Sequence, residues 1–380
     1  MGCVGRGREI FFTPKPRDDN LFGRNKELEK LLSYLHDGVW VAVLGPRMVG
    51  KTSLAKSAVR RYVQDKNSMG IYINVASCGS FGEFSRKVVD SIETAFKAMK
   101  SQRRLKSISL GVYISDPGGI LKTGIQFNVD FERGRSAVRN FVSAVNSLPP
   151  DTVIILDEIQ EVRNRKDILL RSLWEIYNER PDLRIIFTGS YSGVLKALFT
   201  AGKKEAMFGR PPEQLVLSPW PVKTAEEYLL KGFEKCGIEY GHSEIADAIM
   251  TLGTLPGWLT LYGYKRCRGE PHERAKRLVR DEAVLKAKKE LMNYVSTRTE
   301  PYKTIKLLKS LSEGPKRWSE LKAVSRLSEP ALSEVLEQLT EELGVLKKNE
   351  LNRANVTYEF VNELYREAAK YLSTAEIEKR

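Results

Sequence analysis

Two short stretches of this chain carry residue types that, at their spacings, do phosphate chemistry. The first is Gly45-Pro46-Arg47-Met48-Val49-Gly50-Lys51-Thr52, which fits the pattern G-x-x-x-x-G-K-[ST]. Its glycines let backbone N–H groups close around an anion, its lysine brings a positive charge, and its hydroxyl offers a hard oxygen to a divalent ion. The second is Thr152-Val153-Ile154-Ile155-Leu156-Asp157-Glu158-Ile159-Gln160, an apolar run closed by adjacent carboxylates. A strand buried in a parallel sheet delivers its last side chain at the C-terminal edge, where ligands bind. Together the stretches predict that Lys51 reaches the β- and γ-phosphates of a nucleotide. Thr52 and Asp157 then hold Mg²⁺, Asp157 through water, and Glu158 polarises a water for in-line attack on the γ-phosphate. Gly45 to Thr52, with Ser53 behind them, form the expected phosphate-binding set.

The elements needed to position these residues are legible. Val39 to Leu44 reads as a buried strand entering the glycine loop, and Ser53 to Gln64 follows with apolar residues at helical spacing. That order aims a helix N-terminus at an anion. Gly70 to Val75 is a second strand and Ser80 to Lys100 an amphipathic helix. Alternation on either side of Asp116-Pro117-Gly118-Gly119 predicts a β-hairpin insertion over about 105–131. Its basic flank (Lys100, Arg103, Arg104, Lys106) reads as a solvated edge, with an interaction surface as the alternative. Helices are expected over 136–146 and around Ile168 to Tyr177. The strand Leu183 to Ser190 ends in small polar residues, of which Thr188 and Ser190 either touch the γ-phosphate or the attacking water, or cap the strand. Arg210 either neutralises transition-state charge as an arginine finger or sits in a surface ion pair. Gly23, just before a helix carrying Leu28, Leu31, Leu32 and Leu35, either passes the nucleotide base or makes an ordinary turn.

From Val222 to about Arg298 the chain reads as successive helices, interrupted at Gly253-Thr254-Leu255-Pro256-Gly257. Strands alternating with helices, followed by helices alone, imply an α/β P-loop domain with a three-layer parallel sheet and a helical lid. Beyond Glu300-Pro301 the order helix, turn, helix, hairpin predicts a winged helix. The expected divisions are 1–20 as an N-terminal extension, 21–219 as the core, 220–300 as the lid and 301–380 as the winged helix.

Bulk properties narrow the partners. A length of 380 residues implies two or three domains. No apolar run approaches the roughly 18 residues that span a bilayer, and no signal-peptide core opens the chain. Cys3, Cys78, Cys236 and Cys267 are scattered without a C-x-x-C, which suits a reducing cytoplasm, and the histidines lie away from them, giving no zinc site. The net charge of +14 raises the question of nucleic acid, but residues 1–145 carry +11 and residues 301–380 only +1. The third helix of the winged domain, over 328–342, holds five glutamates and no lysine or arginine. Those carboxylates would face phosphates in a groove. A protein partner or self-association is therefore favoured over DNA, with Lys347, Lys348 and Arg353 of the wing as the basic alternative.

In this combination the chain resembles the archaeal ATPases of the STAND division of AAA+ P-loop NTPases, relatives of the Orc/Cdc6 and apoptotic-switch ATPases. The resemblance is carried by Phe12 to Pro16, Leu21-Phe22-Gly23-Arg24, Gly45 to Thr52, Leu156 to Gln160, Ile186 to Ser190, Phe208 to Pro211 and Gly253 to Gly257. It implies ATP with Mg²⁺ and a slow nucleotide-dependent switch, with an ATP-gated DNA-binding protein of the Orc/Cdc6 kind as the alternative. It also implies that Phe22, Gly23 and Arg24 lie by the adenine and that Pro256 closes over the base from the lid. The turn before Pro256 is one residue longer than the family's glycine–x–proline. Ser190 takes the sensor-1 region and Arg210 the arginine finger.

Overall fold

The computed structural model describes residues 11–13, 21–100, 112–114, 137–162, 165–189, 211–350 and 356–378. The chain divides into two compact units, one of residues 16–45 and 50–217, the other of residues 1–15, 46–49 and 218–380.

The first unit is built on six strands: β1 (Val41–Leu44), β2 (Met69–Asn74), β3 (Val112–Ile114), β4 (Val153–Asp157), β5 (Arg184–Gly189) and β6 (Glu213–Val216). Their order is β3-β2-β4-β5-β1-β6. All neighbours run parallel except β3, which pairs antiparallel with β2 at the edge. Strands β1, β4 and β5 are buried at every position, as runs such as Val-Ile-Ile-Leu require when both sheet faces are covered. Side chains alternate between faces. Ile154 and Leu156 join the core made with α3 (Phe81–Lys100), α4 (Ala137–Asn146) and α5 (Lys166–Glu179). Val153, Ile155 and Asp157 therefore face the other way, the side of α2 (Lys51–Lys66), against which α1 (Asn25–His36) packs. The register sets Asn74, Asp157 and Thr188 in one row across β2, β4 and β5. Apart from β3, the predicted hairpin insertion lies outside the described residues.

The second unit opens with α6 (Val222–Cys236), α7 (His242–Leu252), α8 (Pro256–Cys267) and α9 (His272–Val295). Phe11 and Phe12, within the span 1–20 assigned to an N-terminal extension, are buried, and their rings meet Tyr228 of α6. Phe12 stacks edge-on against Tyr228 and Phe233, and its ring lies where Gly232 and Gly263 leave room. A β-carbon at Gly232 would fall 1.9 Å from the Phe12 ring. Cys236 and Cys267, which the spacing alone left unpaired, end α6 and α8 with Cα atoms 5.7 Å apart and form a disulfide.

The same unit continues through α10 (Pro301–Ser312), β7 (Lys316–Arg317), α11 (Trp318–Ser325), α12 (Glu329–Glu337), β8 (Leu346–Glu350), β9 (Val356–Phe360), α13 (Glu363–Lys370) and α14 (Ala375–Glu378). The strands form an antiparallel sheet in the order β7-β9-β8. Helix α12 starts where Ser328 caps the Ala331 N–H, and it gives way at Gln338 to one wider π-helical turn, short of the expected end at Glu342. Among the described residues no helix is long and apolar enough to cross a membrane.

Candidate functional site

The glycine loop leaves β1 with Gly45 at φ +139° and enters α2 from Gly50 at φ +101°. Both values lie where a side chain is strained, which accounts for glycine at the two fixed positions. Lys51 opens α2 and is buried, and its Nζ donates to the Gly45 carbonyl at 2.8 Å, so the ammonium sits over the loop. Thr52 and Ser53 follow in the first turn, both half-buried, while Val49 is fully buried.

Asp157 closes β4 with 3% of its surface exposed. Three hydroxyls converge on its carboxylate. Thr52 Oγ1 donates at 3.0 Å to Oδ1 and 3.2 Å to Oδ2, Tyr72 donates to Oδ2 at 2.6 Å, and Thr188 donates to Oδ1. Among the described residues no salt bridge neutralises it. Thr188, read as either touching the γ-phosphate or the attacking water or capping its strand, is fully buried and bonded to Asp157. Tyr72 was not foreseen. Its ring lies under the Lys56 ammonium at 3.8 Å, and its hydroxyl also accepts from the Asn74 amide at 3.3 Å. Burial, then the Asp157 charge, pushes the Tyr72 phenol far above its ordinary value, so it stays a donor.

Glu158 adopts φ +60° and leads into the 3₁₀ turn Ile159–Glu161. Its carboxylate accepts a hydrogen bond from the Gln160 side-chain amide. The Gln160 carbonyl oxygen is buried and, among the described residues, has no hydrogen-bond partner.

The middle of the loop belongs to the second unit. Gly257 donates its N–H to the Met48 carbonyl at 2.9 Å, and a β-carbon at Gly257 would lie 2.8 Å from that of Met48. Pro256 precedes this contact as the first residue of α8. Arg47 Nε lies 3.4 Å from Glu290 of α9, and Glu290 accepts a hydrogen bond from the Tyr365 hydroxyl of α13 at 2.7 Å. Burial raises the Tyr365 hydroxyl well above its ordinary value, followed by the charge of Glu290, while Arg47 acts in the opposite sense.

The remaining predicted residues divide. Phe22 is half-buried, Gly23 takes φ +63°, and Arg24 is buried at the N-terminus of α1 with Nη1 2.8 Å from Glu27. Ser190, Arg210 and Arg353 lie outside the described residues. Beyond residue 300, Lys347 pairs with Glu359 and Lys348 with Glu350, and Glu334 of α12 lies 3.3 Å from Arg298. Asp247, His272 and Glu273 come within metal-ligand reach of one another, but the Lys276 ammonium bonds both carboxylates and takes the cation's place.

Comparison with known proteins agrees with this arrangement. No curated protein matches the sequence. The chain is similar to the Walker-type ATPase of Pyrococcus abyssi, at 23% identity and a TM-score of 0.71, over 95% of this chain and 100% of that one. It is also similar to the Orc2 protein of Aeropyrum pernix in its ADPNP–ADP complexes, at 14% identity and a TM-score of 0.62, over 97% of each chain. These likenesses show the fold. The profile of an ATPase domain predominantly from Archaea matches residues 21–261, a span holding both the glycine loop and the carboxylate pair, and the chain belongs to that family.

Proposed function

We propose that this ATPase is a nucleotide-dependent switch that hydrolyses ATP with Mg²⁺ and passes the state of its phosphate loop to the helical and winged-helix domains. Those domains in turn act on a macromolecular partner. The observation that carries the reading is that Arg47 and Met48, inside the loop itself, are bonded to Glu290 and Gly257, and Glu290 to Tyr365. A change in the loop therefore bears directly on α8, α9 and α13. Phe22, Gly23 and Arg24 are assigned to the adenine, and Pro256, beside the Met48 contact, to the base.

The donor set fits Mg²⁺. A buried carboxylate without a salt bridge among the described residues, next to a threonine hydroxyl, offers the hard oxygens that ion prefers. When bound, Mg²⁺ neutralises charge on the phosphate oxygens. Thr52 can lend its oxygen lone pairs to the ion while its proton still goes to Asp157. Lys51 exchanges the Gly45 carbonyl for phosphate oxygens. Glu158 leaves the Gln160 amide and takes a proton from water as the water oxygen bonds to the γ-phosphorus. The bond to the β–γ bridging oxygen breaks, and ADP carries away its electron pair.

Two substitutions separate binding from hydrolysis. Lys51→Ala is expected to abolish binding of a fluorescent ATP analogue. Glu158→Gln is expected to keep binding and lower hydrolysis by about a hundredfold or more, the scale of a general base. Wild-type hydrolysis by Glu158→Gln would show the assigned base to be wrong. The Orc/Cdc6-like reading rests on the +14 charge and the winged helix. The paired wing lysines and acidic α12 weigh against it. Duplex DNA binding at about 50 mM salt that falls steeply with added salt, and is lost on deleting residues 301–380, would favour it.

A further inference from the structure

Tyr72 lies on β2, two residues short of the strand end, and pairs in register with Ile155 rather than with Asp157. Its side chain must rise by two residues along the strand, roughly 6.6 Å, to meet a carboxylate at the end of β4. Among residue types with a neutral hydroxyl, only tyrosine is that long, and its ring makes the reach rigid. The rest of the setting keeps it in place. Lys56 of the phosphate-loop helix covers the ring at 3.8 Å, and the Asn74 amide donates to the phenol oxygen, turning the phenol proton toward Asp157. A serine or threonine on β2 would need to stand at position 74, in the row with Asp157, to reach it.

The arrangement around Asp157 is specific. Thr188 fixes Oδ1, Tyr72 fixes Oδ2, and Thr52 donates to both oxygens. With both ends of the carboxylate pinned, its plane cannot rotate. The Thr52 proton must then point inward, leaving the lone pairs of its oxygen free for a cation. Without the Tyr72 bond, Oδ2 loses its 2.6 Å hydrogen bond and the carboxylate can turn about its own axis. We infer that Tyr72 is a positioning residue for the metal site of this ATPase, its hydroxyl holding the Asp157 carboxylate in the orientation that presents Thr52 and Asp157 to Mg²⁺. The inference rests on the assignment of Thr52 and Asp157 to the metal, and it concerns the affinity for the ion rather than the affinity for the nucleotide.

Tyr72→Phe deletes one oxygen and keeps the ring under Lys56. Outer-sphere partners of metal ligands typically change metal affinity by about tenfold or more. The first measurement is Mn²⁺ binding to the full chain in the presence of ADP, followed by electron paramagnetic resonance. The second is the Mg²⁺ concentration that half-saturates binding of a fluorescent ATP analogue. The Mn²⁺ dissociation constant and the half-saturating Mg²⁺ concentration are both expected to rise about tenfold in Tyr72→Phe, while affinity for the analogue in EDTA stays within twofold. Hydrolysis at saturating Mg²⁺ should return to near the wild-type rate. A purely structural role would lower the thermal midpoint and leave the metal titrations unmoved, and that result overturns the inference. Thr52→Ala and Asp157→Asn are run beside it. If these shift the metal titrations and Tyr72→Phe does not, Tyr72 is not a positioning residue; if none shifts them, the metal assignment itself is wrong.

Discussion

Glu158 holds a left-handed backbone conformation, which costs a non-glycine residue on the order of 1 kcal/mol and persists only where its surroundings impose it. Its carboxylate is occupied by the amide of Gln160, two residues on. On the proposed role of Glu158 as the base, a carboxylate bonded to an amide is not yet facing water, and Gln160 would be a resting partner that lets go before proton transfer. Such a bond contributes about 1 kcal/mol net, so Gln160→Ala should raise the single-turnover rate of hydrolysis roughly fivefold, with nucleotide affinity unchanged. A slower reaction in rapid-quench measurements would instead make Gln160 an aid to Glu158. At this scale the sequence was uneven evidence. Lys51, Thr52, Asp157 and Glu158 are legible because each sits at a fixed offset within one short run. Tyr72 is not, because 85 residues separate it from Asp157 and only the β2–β4 register brings the two together.

Among the elements, periodicity carried far because burial enforces it. The strands β1, β4 and β5 and the helices α2 and α3 all stand within a few residues of where continuous apolar runs and helical spacing put them. The failures share a different cause: long-range pairing leaves no local pattern. Phe11 and Phe12 precede a proline-rich stretch and have no helical or strand period, yet both are buried, and Phe12 fills the gap left by Gly232 and Gly263. Cys236 and Cys267 stand 31 residues apart in the chain, a spacing that is no signature of a bridge. Their disulfide closes a loop that contains α7 and α8. Chain-entropy arguments give such a cross-link about 3 to 4 kcal/mol through the unfolded state. Cys236→Ser, or reduction of the wild type, should therefore lower the thermal midpoint of the unit holding residues 218–380. Residues 50–217 should be unaffected when followed by hydrogen exchange. An unchanged midpoint on reduction would mean that the bridge adds nothing to the stability of the helical domain.

For the molecule as a whole, the division into two units falls within the glycine loop, with Gly45 and Gly50 in one unit and residues 46–49 in the other. Arg47 occupies a variable position of its motif, so nothing in the sequence marks it as different from any other residue there. The structure gives it a partner in Glu290, whose side chain is only 10% exposed and also holds the buried Tyr365 of α13. Glu290 thus touches both Arg47 and α13. The ion pair itself is modest, since Arg47 is 48% exposed and water screens it, and about 1 kcal/mol is a fair scale. That is still roughly a fivefold bias on a two-state equilibrium. Glu290→Gln keeps an acceptor for Tyr365 and removes the charge that Arg47 feels. Nucleotide binding and hydrolysis should persist within a fewfold of the wild type. The difference in hydrogen exchange between ATP- and ADP-bound protein over residues 301–378 should shrink, and Arg47→Ala should reproduce the effect. Tyr365→Phe should do so only in part, because it leaves the ion pair with Arg47 intact. Should the C-terminal domain report the bound nucleotide equally well in all three variants, the signal travels by another route and Glu290 is only a packing residue of α9.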